Sequence, residues 1–160
     1  MWVKGSVSFN ESLASFVAAK GVLAYLAAQH GADAPPFRLY QDLQADAKLF
    51  QAYMHGVVQR LETLYQGPLS RAEKLRQREQ IFAAAASDYP SVFPRMKTKR
   101  YQRYFERRTL NNAVLLSFRR YNRDMSFFER AFAAHGGDIR RLIDFFKTLR
   151  PEDIPETFRT

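Results

Sequence analysis

One carboxylate near the start of the chain, Glu11, is the first candidate for chemistry. Apolar residues recur around it at helical spacing, namely Phe9, Leu13, Phe16 and Val17. One interpretation is a capping box, in which Ser8 is the N-cap and Glu11 follows three residues later. The other is a metal ligand carried on a helix. The spacing alone favours the capping box, because S-x-x-E before an apolar run is common.

The remaining residues offer little else to complete a metal site around Glu11. The three histidines are His30, His55 and His135, and none of them begins an H-E-x-x-H motif. Cysteine is absent, which excludes disulfides, thiol catalysis and cysteine-type zinc sites. A catalytic zinc site needs three protein ligands and an open position for water. Residues 1–160 supply one plausible ligand, Glu11.

Polar side chains in the second half of the chain are the next candidates. Asn111 and Asn112 lie near the start of a predicted amphipathic helix. They either satisfy backbone groups there or orient a substrate or a ligand carboxylate beside Glu11. Tyr121, at the end of that helix, either donates a hydrogen bond to an oxyanion or is a core tyrosine with a solvated hydroxyl. We therefore take Asn111, Asn112 and Tyr121 as candidate catalytic residues.

Helical periodicity predicts the elements that must position these side chains. We expect an all-α fold, a single irregular bundle of about six or seven helices with the first two as the central pair. The domain is predicted over residues 1–149, with a C-terminal tail over residues 150–160. The predicted helices cover about residues 9–29, 36–65, 70–87, 97–107, 110–121, a stretch from Ser126 or Asp124 to Ala134, and a stretch capped by Asp138.

Positive charge is concentrated in residues 95–123, which hold ten basic residues and one acidic residue, Glu106. The whole chain has a formal net charge of +9. Tyr101, Tyr104 and Phe105 lie among the basic residues, a composition typical of a nucleic-acid or anionic-surface binding module. Their helical spacing favours the alternative, a solvated basic face with the rings directed into the core. Nucleic acid is therefore a conceivable partner, but not the favoured one.

Two groups of motifs, in order along the chain, resemble one family. The segment Asn10–Ala14 is similar to the N-E-x-[FL]-A segment of zinc aminopeptidases. The longer pattern F-N-E-S-x-A-x-F-V followed by Gly21 resembles a bacterial putative-aminopeptidase family. Later matches are the helix start at 72–74, the segment Leu110–Ala113, and then Tyr121, Phe128 and Gly136–Asp138. The chain is similar to the C-terminal portion of that gluzincin-like family, including its C-terminal N-N-A motif.

The resemblance implies a zinc-dependent aminopeptidase in which Glu11 is the third zinc ligand. Members carry an upstream H-E-x-x-H, which supplies two histidine ligands and the glutamate that activates water. This chain lacks that motif, so we expect the segment or subunit that contains it to be a partner. Zinc and a peptide substrate are expected in the complete protein. The chain alone is expected to hold no cofactor and to be inert.

Composition limits the class of protein. A hydrophobic content of 46%, with 14 Phe and 8 Tyr, argues against disorder. We predict no transmembrane segment, because no apolar run approaches 18 residues. Residues 1–30 also lack a signal-peptide pattern. These observations leave the compartment open between a bacterial cytoplasm and an envelope.

Overall fold

The computed structural model describes residues 6–121 and 125–158, apart from the side chains of Ser117, Arg119, Arg120, Tyr121 and Thr157. These residues form seven α-helices and no strand, so the predicted all-α fold is confirmed. The helices are α1 (Val7–His30), α2 (Pro35–Gln66), α3 (Arg71–Asp88), α4 (Tyr104–Arg107), α5 (Asn112–Tyr121), α6 (Ser126–Ala134) and α7 (Ile139–Thr148). Short 3₁₀ turns cover Tyr89–Ser91, Phe93–Arg95, Pro151–Asp153 and Glu156–Phe158.

Two compact units make up the chain. Unit 1 comprises Met1–Phe37 and Arg123–Thr160, and unit 2 comprises Arg38–Asn122. Helix α1 lies in unit 1, and α2 from Arg38 onward lies in unit 2. The predicted pairing of these two helices, and the predicted domain boundary at residue 149, both stay predictions.

The core of unit 1 is built from phenylalanine rings around Phe9, which is completely buried. Its ring centroid lies 5.3–6.3 Å from the centroids of four others, those of Phe127, Phe128, Phe146 and Phe158. Ile154 and Phe158 come from the segment that the sequence assigned to a tail, yet each is 1% exposed. Ile154 and Phe158 thus belong to this core.

The two halves of helix α1 differ in how deeply their side chains are buried. Its first half buries Phe9, Leu13 and Phe16, whereas Tyr25 in its second half is 62% exposed. By length and composition alone, α1 is long and apolar enough to cross a membrane. A core helix or a signal sequence satisfies the same criterion, so the prediction of no transmembrane segment stays a prediction.

The core of unit 2 follows one stripe of α2. Phe50, Met54, Val57, Leu61 and Leu64 are all buried at spacings of three and four residues. They pack with Ala85 of α3 and with Tyr89 just after it. Leu39, near the start of α2, is 55% exposed and lies outside this stripe.

Local capping signals were correct at two helix starts. Ser70 and Glu73 form a capping box at the start of α3, where the sequence predicted a helix from residue 70, and the Ser70 hydroxyl accepts from the Glu73 backbone N–H. Asp138 caps α7 by accepting from the backbone N–H groups of Arg140 and Arg141, at 2.7 and 3.1 Å. Both caps use residues within three positions of each other, which is why the sequence alone predicts them.

Candidate functional site

The start of α1 differs from the predicted capping box. The helix begins at Val7, so Ser8 lies inside it, and the N-cap is Ser6. The Ser6 hydroxyl donates 2.7 Å to the Phe158 carbonyl and makes no cap bond. Asn10 donates to the Ser6 carbonyl through both its backbone N–H, at 3.1 Å, and its side-chain amide, at 2.7 Å. These bonds start the helix before Ser8, so the interpretation of Ser8 and Glu11 as a capping box was wrong.

Glu11 lies on the exposed side of the first turns of α1. Phe9, Leu13 and Phe16 take the buried face, and Glu11 falls outside it. Its backbone carbonyl accepts 2.9 Å from the Ser15 hydroxyl. Within residues 6–121 and 125–158, the carboxylate itself has no hydrogen-bond or ion-pair partner. Both carboxylate oxygens are therefore open to a group from outside these residues.

A cavity of about 350 Å³ adjoins this stretch of α1 within unit 1. Its lining residues are Asn10, Leu13, Ala14, Val17, Ala18 and Ile143. Three of them belong to the Asn10–Ala14 segment that carries the resemblance. The segment thus combines an exposed carboxylate with neighbours that border a cavity.

The described residues do not fit a zinc ion by themselves. No group of three or more His, Cys, Asp or Glu side chains able to hold a metal occurs among them. His30 and His55 are exposed on α1 and α2, respectively. His135 Nδ1 lies 2.7 Å from the Ala131 carbonyl, and its ring packs on Phe145 at 4.6 Å between centroids. A zinc site would therefore need ligands from beyond these residues.

The two asparagines occupy the start of α5, in unit 2. Asn111 Oδ1 accepts 2.9 Å from the Val114 backbone N–H, which is the cap-like role that one interpretation gave it. Asn112 Oδ1 accepts 3.3 Å from the Tyr65 hydroxyl. Both side chains border a cavity of about 400 Å³ that also includes residues of α3. Glu11 lies in unit 1, so the predicted juxtaposition of Glu11 with an asparagine stays a prediction.

The predicted oxyanion donor, Tyr121, is the last residue of α5. Its side chain lies outside the described residues, so its proposed role stays a prediction.

Sequence reasoning missed a buried carboxylate on α2, Asp46. It is completely buried and accepts from the backbone N–H groups of Lys97 and Thr98 at 2.8 and 2.7 Å. The Thr98 hydroxyl donates to it at 2.6 Å. Burial alone would raise the pKa of Asp46, but these hydrogen bonds hold the pKa below its ordinary value. The sequence did contain a signal for this burial, because Asp46 lies four residues before Phe50 and so falls on the apolar stripe of α2. A buried carboxylate at such a position needs hydrogen-bond partners.

The bonds to Asp46 explain a second correction. Residues 97–107 were predicted as one helix, but only Tyr104–Arg107 is α-helical. The Lys97 and Thr98 N–H groups bond to Asp46 rather than to carbonyls one turn earlier. Residues 97 and 98 are therefore held against α2 by hydrogen bonds and do not begin a helix.

The aromatic residues of the basic segment pack inward. The Tyr101 ring stacks on Phe50, with centroids 4.4 Å apart and planes 12° apart. The ring centroid of Tyr104 lies 4.6 Å from that of Phe50, and the centroid of Phe105 lies 4.8 Å from that of Tyr89. The rings take the core positions that their helical spacing favoured, while the neighbouring basic side chains are exposed.

A comparison with protein families covers almost the entire chain. The family model described as Putative aminopeptidase matches residues 1–159. The chain belongs to this family. No curated protein and no solved structure matches it.

Membership of the Putative aminopeptidase family confirms the resemblance at the level of the family. The match includes both the Asn10–Ala14 segment and the later segment Leu110–Ala113. The match by itself assigns no zinc-binding role to Glu11.

In this member of the Putative aminopeptidase family, Asp46→Asn should lower the free energy of unfolding by about 2–3 kcal/mol, since it weakens hydrogen bonds to a buried charge. The pKa of Asp46 is lowered by folding, so its stabilising contribution is complete above the unfolded pKa of about 3.9. That contribution is lost as pH falls through the folded pKa. Urea denaturation at neutral pH and near pH 3 would measure both effects.

Asp42→Asn is the matched control for this prediction. Asp42 pairs at 2.7 Å with the exposed Lys97 ammonium, and such surface pairs contribute about 0–1 kcal/mol. Equal losses in the two variants, or an unchanged acid dependence in Asp46→Asn, would contradict the anchoring role.

Proposed function

We propose that this chain is the C-terminal helical half of a zinc-dependent aminopeptidase, with Glu11 as the third zinc ligand. The observation that carries the proposal is the state of Glu11 in a member of this family. Its carboxylate is exposed on α1 and has no partner among the described residues. A carboxylate oxygen is a regular zinc ligand in catalytic sites. A structural role as a helix cap, the competing explanation, has been removed by the observed start of α1.

The number of zinc ligands in this chain limits the chemistry that it can perform alone. Zinc affinity comes from several deprotonated ligands acting together, so one carboxylate binds zinc weakly. We infer that the other ligands come from an H-E-x-x-H segment outside residues 1–160, in the same polypeptide or in a partner chain. The glutamate of that segment would take the proton from the attacking water. Glu11 and the two histidines of that segment would hold the metal, which would supply Lewis-acid chemistry when bound.

The residues near α5 are proposed to act on the substrate side. Asn112 uses its Oδ1 to accept from Tyr65, which fixes the orientation of the amide. Its side-chain NH₂ can then donate to a peptide carbonyl. Asn111 positions the first turn of α5 through its bond to Val114. Tyr121 is proposed as a hydrogen-bond donor to the developing oxyanion.

The test compares the 160-residue chain with the same chain supplied with an H-E-x-x-H segment, fused or as a separate subunit. We expect the isolated chain to contain little zinc and to hydrolyse aminoacyl substrates no faster than buffer. The completed protein should contain stoichiometric zinc and gain hydrolysis. Metal analysis and a chromogenic aminoacyl substrate provide the two readouts. Tight stoichiometric zinc, or robust hydrolysis, in the isolated chain would refute the proposal.

A further inference from the structure

An open cleft of about 720 Å³ lies within unit 2, between α2, α5 and residues 99–108. Five basic side chains line it, and all are exposed: Lys99, Arg100, Arg103, Arg107 and Arg108. No acidic residue is among the described residues that line the cleft. The cleft is thus a concentration of positive charge in a concave surface, where the field of each charge reinforces the others.

Most of this charge is uncompensated. Arg103 forms an ion pair with Glu106. The other four basic residues have no acidic partner within residues 6–121 and 125–158. Like charges held close together repel one another, and an anion bound among them would relieve that repulsion.

Two of the arginines lie against tyrosine rings. The guanidinium carbon of Arg100 lies 5.7 Å from the Tyr101 ring centroid, and that of Arg108 lies 5.8 Å from the Tyr104 centroid. Each guanidinium carries five N–H donors, so donors remain for a ligand even though Arg108 also hydrogen-bonds the Tyr104 side chain. Those donors match the geometry of phosphate oxygens.

The segment that carries these arginines is fixed to the core of unit 2 by ring contacts and hydrogen bonds. Tyr101 stacks on Phe50, which is only 2% exposed, and the Tyr101 carbonyl accepts 3.0 Å from the Tyr89 hydroxyl. At the start of the segment, Asp46 holds the backbone of residues 97 and 98. The basic side chains therefore extend from a backbone that is already fixed, which lowers the entropic cost of binding a ligand.

We propose that this cleft binds a small anion carrying several linked phosphate groups. Four basic residues lack an acidic partner in the part of the chain that the structure describes, and their charge exceeds what one phosphate would neutralise. The volume of the cleft is also larger than one phosphate needs. Nucleoside triphosphates and inorganic oligophosphates share the required chemistry. Single-stranded nucleic acid is disfavoured, because its binding surfaces combine an extended basic groove with aromatic faces open to bases. Here the faces of Tyr101 are taken by Phe50 and Arg100.

The test is calorimetric titration of the complete 160-residue chain with tripolyphosphate, ATP, AMP and orthophosphate at low salt. We expect tripolyphosphate and ATP to bind at least tenfold more tightly than AMP or orthophosphate. Equal affinity for ATP and tripolyphosphate would identify the phosphate chain as the ligand. Tighter binding of ATP would add a contact to the nucleoside. Both outcomes support the proposal.

Matched variants locate the site. Arg100→Gln with Arg108→Gln should weaken tripolyphosphate binding at least tenfold, because two guanidinium groups are lost. Arg71→Gln with Arg76→Gln removes the same charge from the exposed surface of α3 and should change affinity less than twofold. Circular dichroism checks that both double variants keep their helices.

Three outcomes would overturn the proposal. One is no binding of tripolyphosphate at low salt, and another is an equal loss of affinity in the two double variants. The third is tighter binding of a single-stranded oligonucleotide that excludes tripolyphosphate, which would indicate a nucleic-acid surface. None of the measurements involves zinc or peptidase activity, so they stand apart from the proposed function.

Discussion

In a protein completed with an H-E-x-x-H segment, Glu11→Ala is expected to lower zinc affinity on the order of 100-fold. Binding of structural zinc by four ligands releases about 10–16 kcal/mol, so one ligand accounts for roughly 3 kcal/mol. Each 1.4 kcal/mol corresponds to a factor of ten in affinity. Hydrolysis of an aminoacyl substrate should fall in parallel when zinc is limiting.

The adjacent turn of α1 provides a control for Glu11→Ala. Ser15→Ala removes the hydrogen bond to the Glu11 backbone carbonyl but leaves the carboxylate in place. Zinc affinity should then stay within a few fold of the original. Competition with a chromophoric chelator measures both variants. Unchanged affinity in Glu11→Ala would remove Glu11 from the ligand set and leave it as an exposed surface residue.

A second large effect is expected at the centre of unit 1. Phe9→Ala should lower the free energy of unfolding by about 3–5 kcal/mol, the range found when a buried Phe is truncated. Phe9 is completely buried, and four other phenylalanine rings surround it. The cavity would be lined by rings from three different chain segments, which cannot all move inward to fill it.

Urea denaturation followed by far-UV circular dichroism measures this loss. Val7→Ala, two residues earlier on α1, serves as the control because Val7 is 56% exposed. That change should stay within about 0.5 kcal/mol. A loss below about 1 kcal/mol in Phe9→Ala would show that α1 does not anchor the core of unit 1.

The helices of this chain could be predicted because their information is local. Apolar spacing gave α1, α2, α6 and α7 nearly to the residue, and short-range caps gave the starts of α3 and α7. Two of the failures involve a bond across a long sequence separation. Ser6 bonds to Phe158, and Asp46 bonds to Lys97 and Thr98. Spacing patterns cannot reveal such partners.

The candidate sites also differ in whether local sequence is enough to predict them. Glu11 could be proposed as a ligand from its motif, because a residue type and its helical context are properties of a short segment. The cationic cleft could not be identified as a cleft. Its charge was visible in residues 95–123, but its concave shape depends on Phe50 of α2 and on Val114 and Phe118 of α5. Only the fold brings those residues beneath the basic segment.

The discontinuous composition of unit 1 affects how the chain folds during synthesis. Unit 2 is one continuous stretch, so it can fold as soon as it leaves the ribosome. Helix α1 must instead wait for the segment that ends at Phe158, 152 residues after its partner Ser6. At about 5–20 residues per second, translation of that interval takes roughly 8–30 seconds. Throughout that time Phe9, Leu13 and Phe16 of α1 lack the rings of Phe128, Phe146 and Phe158 that bury them in the finished core.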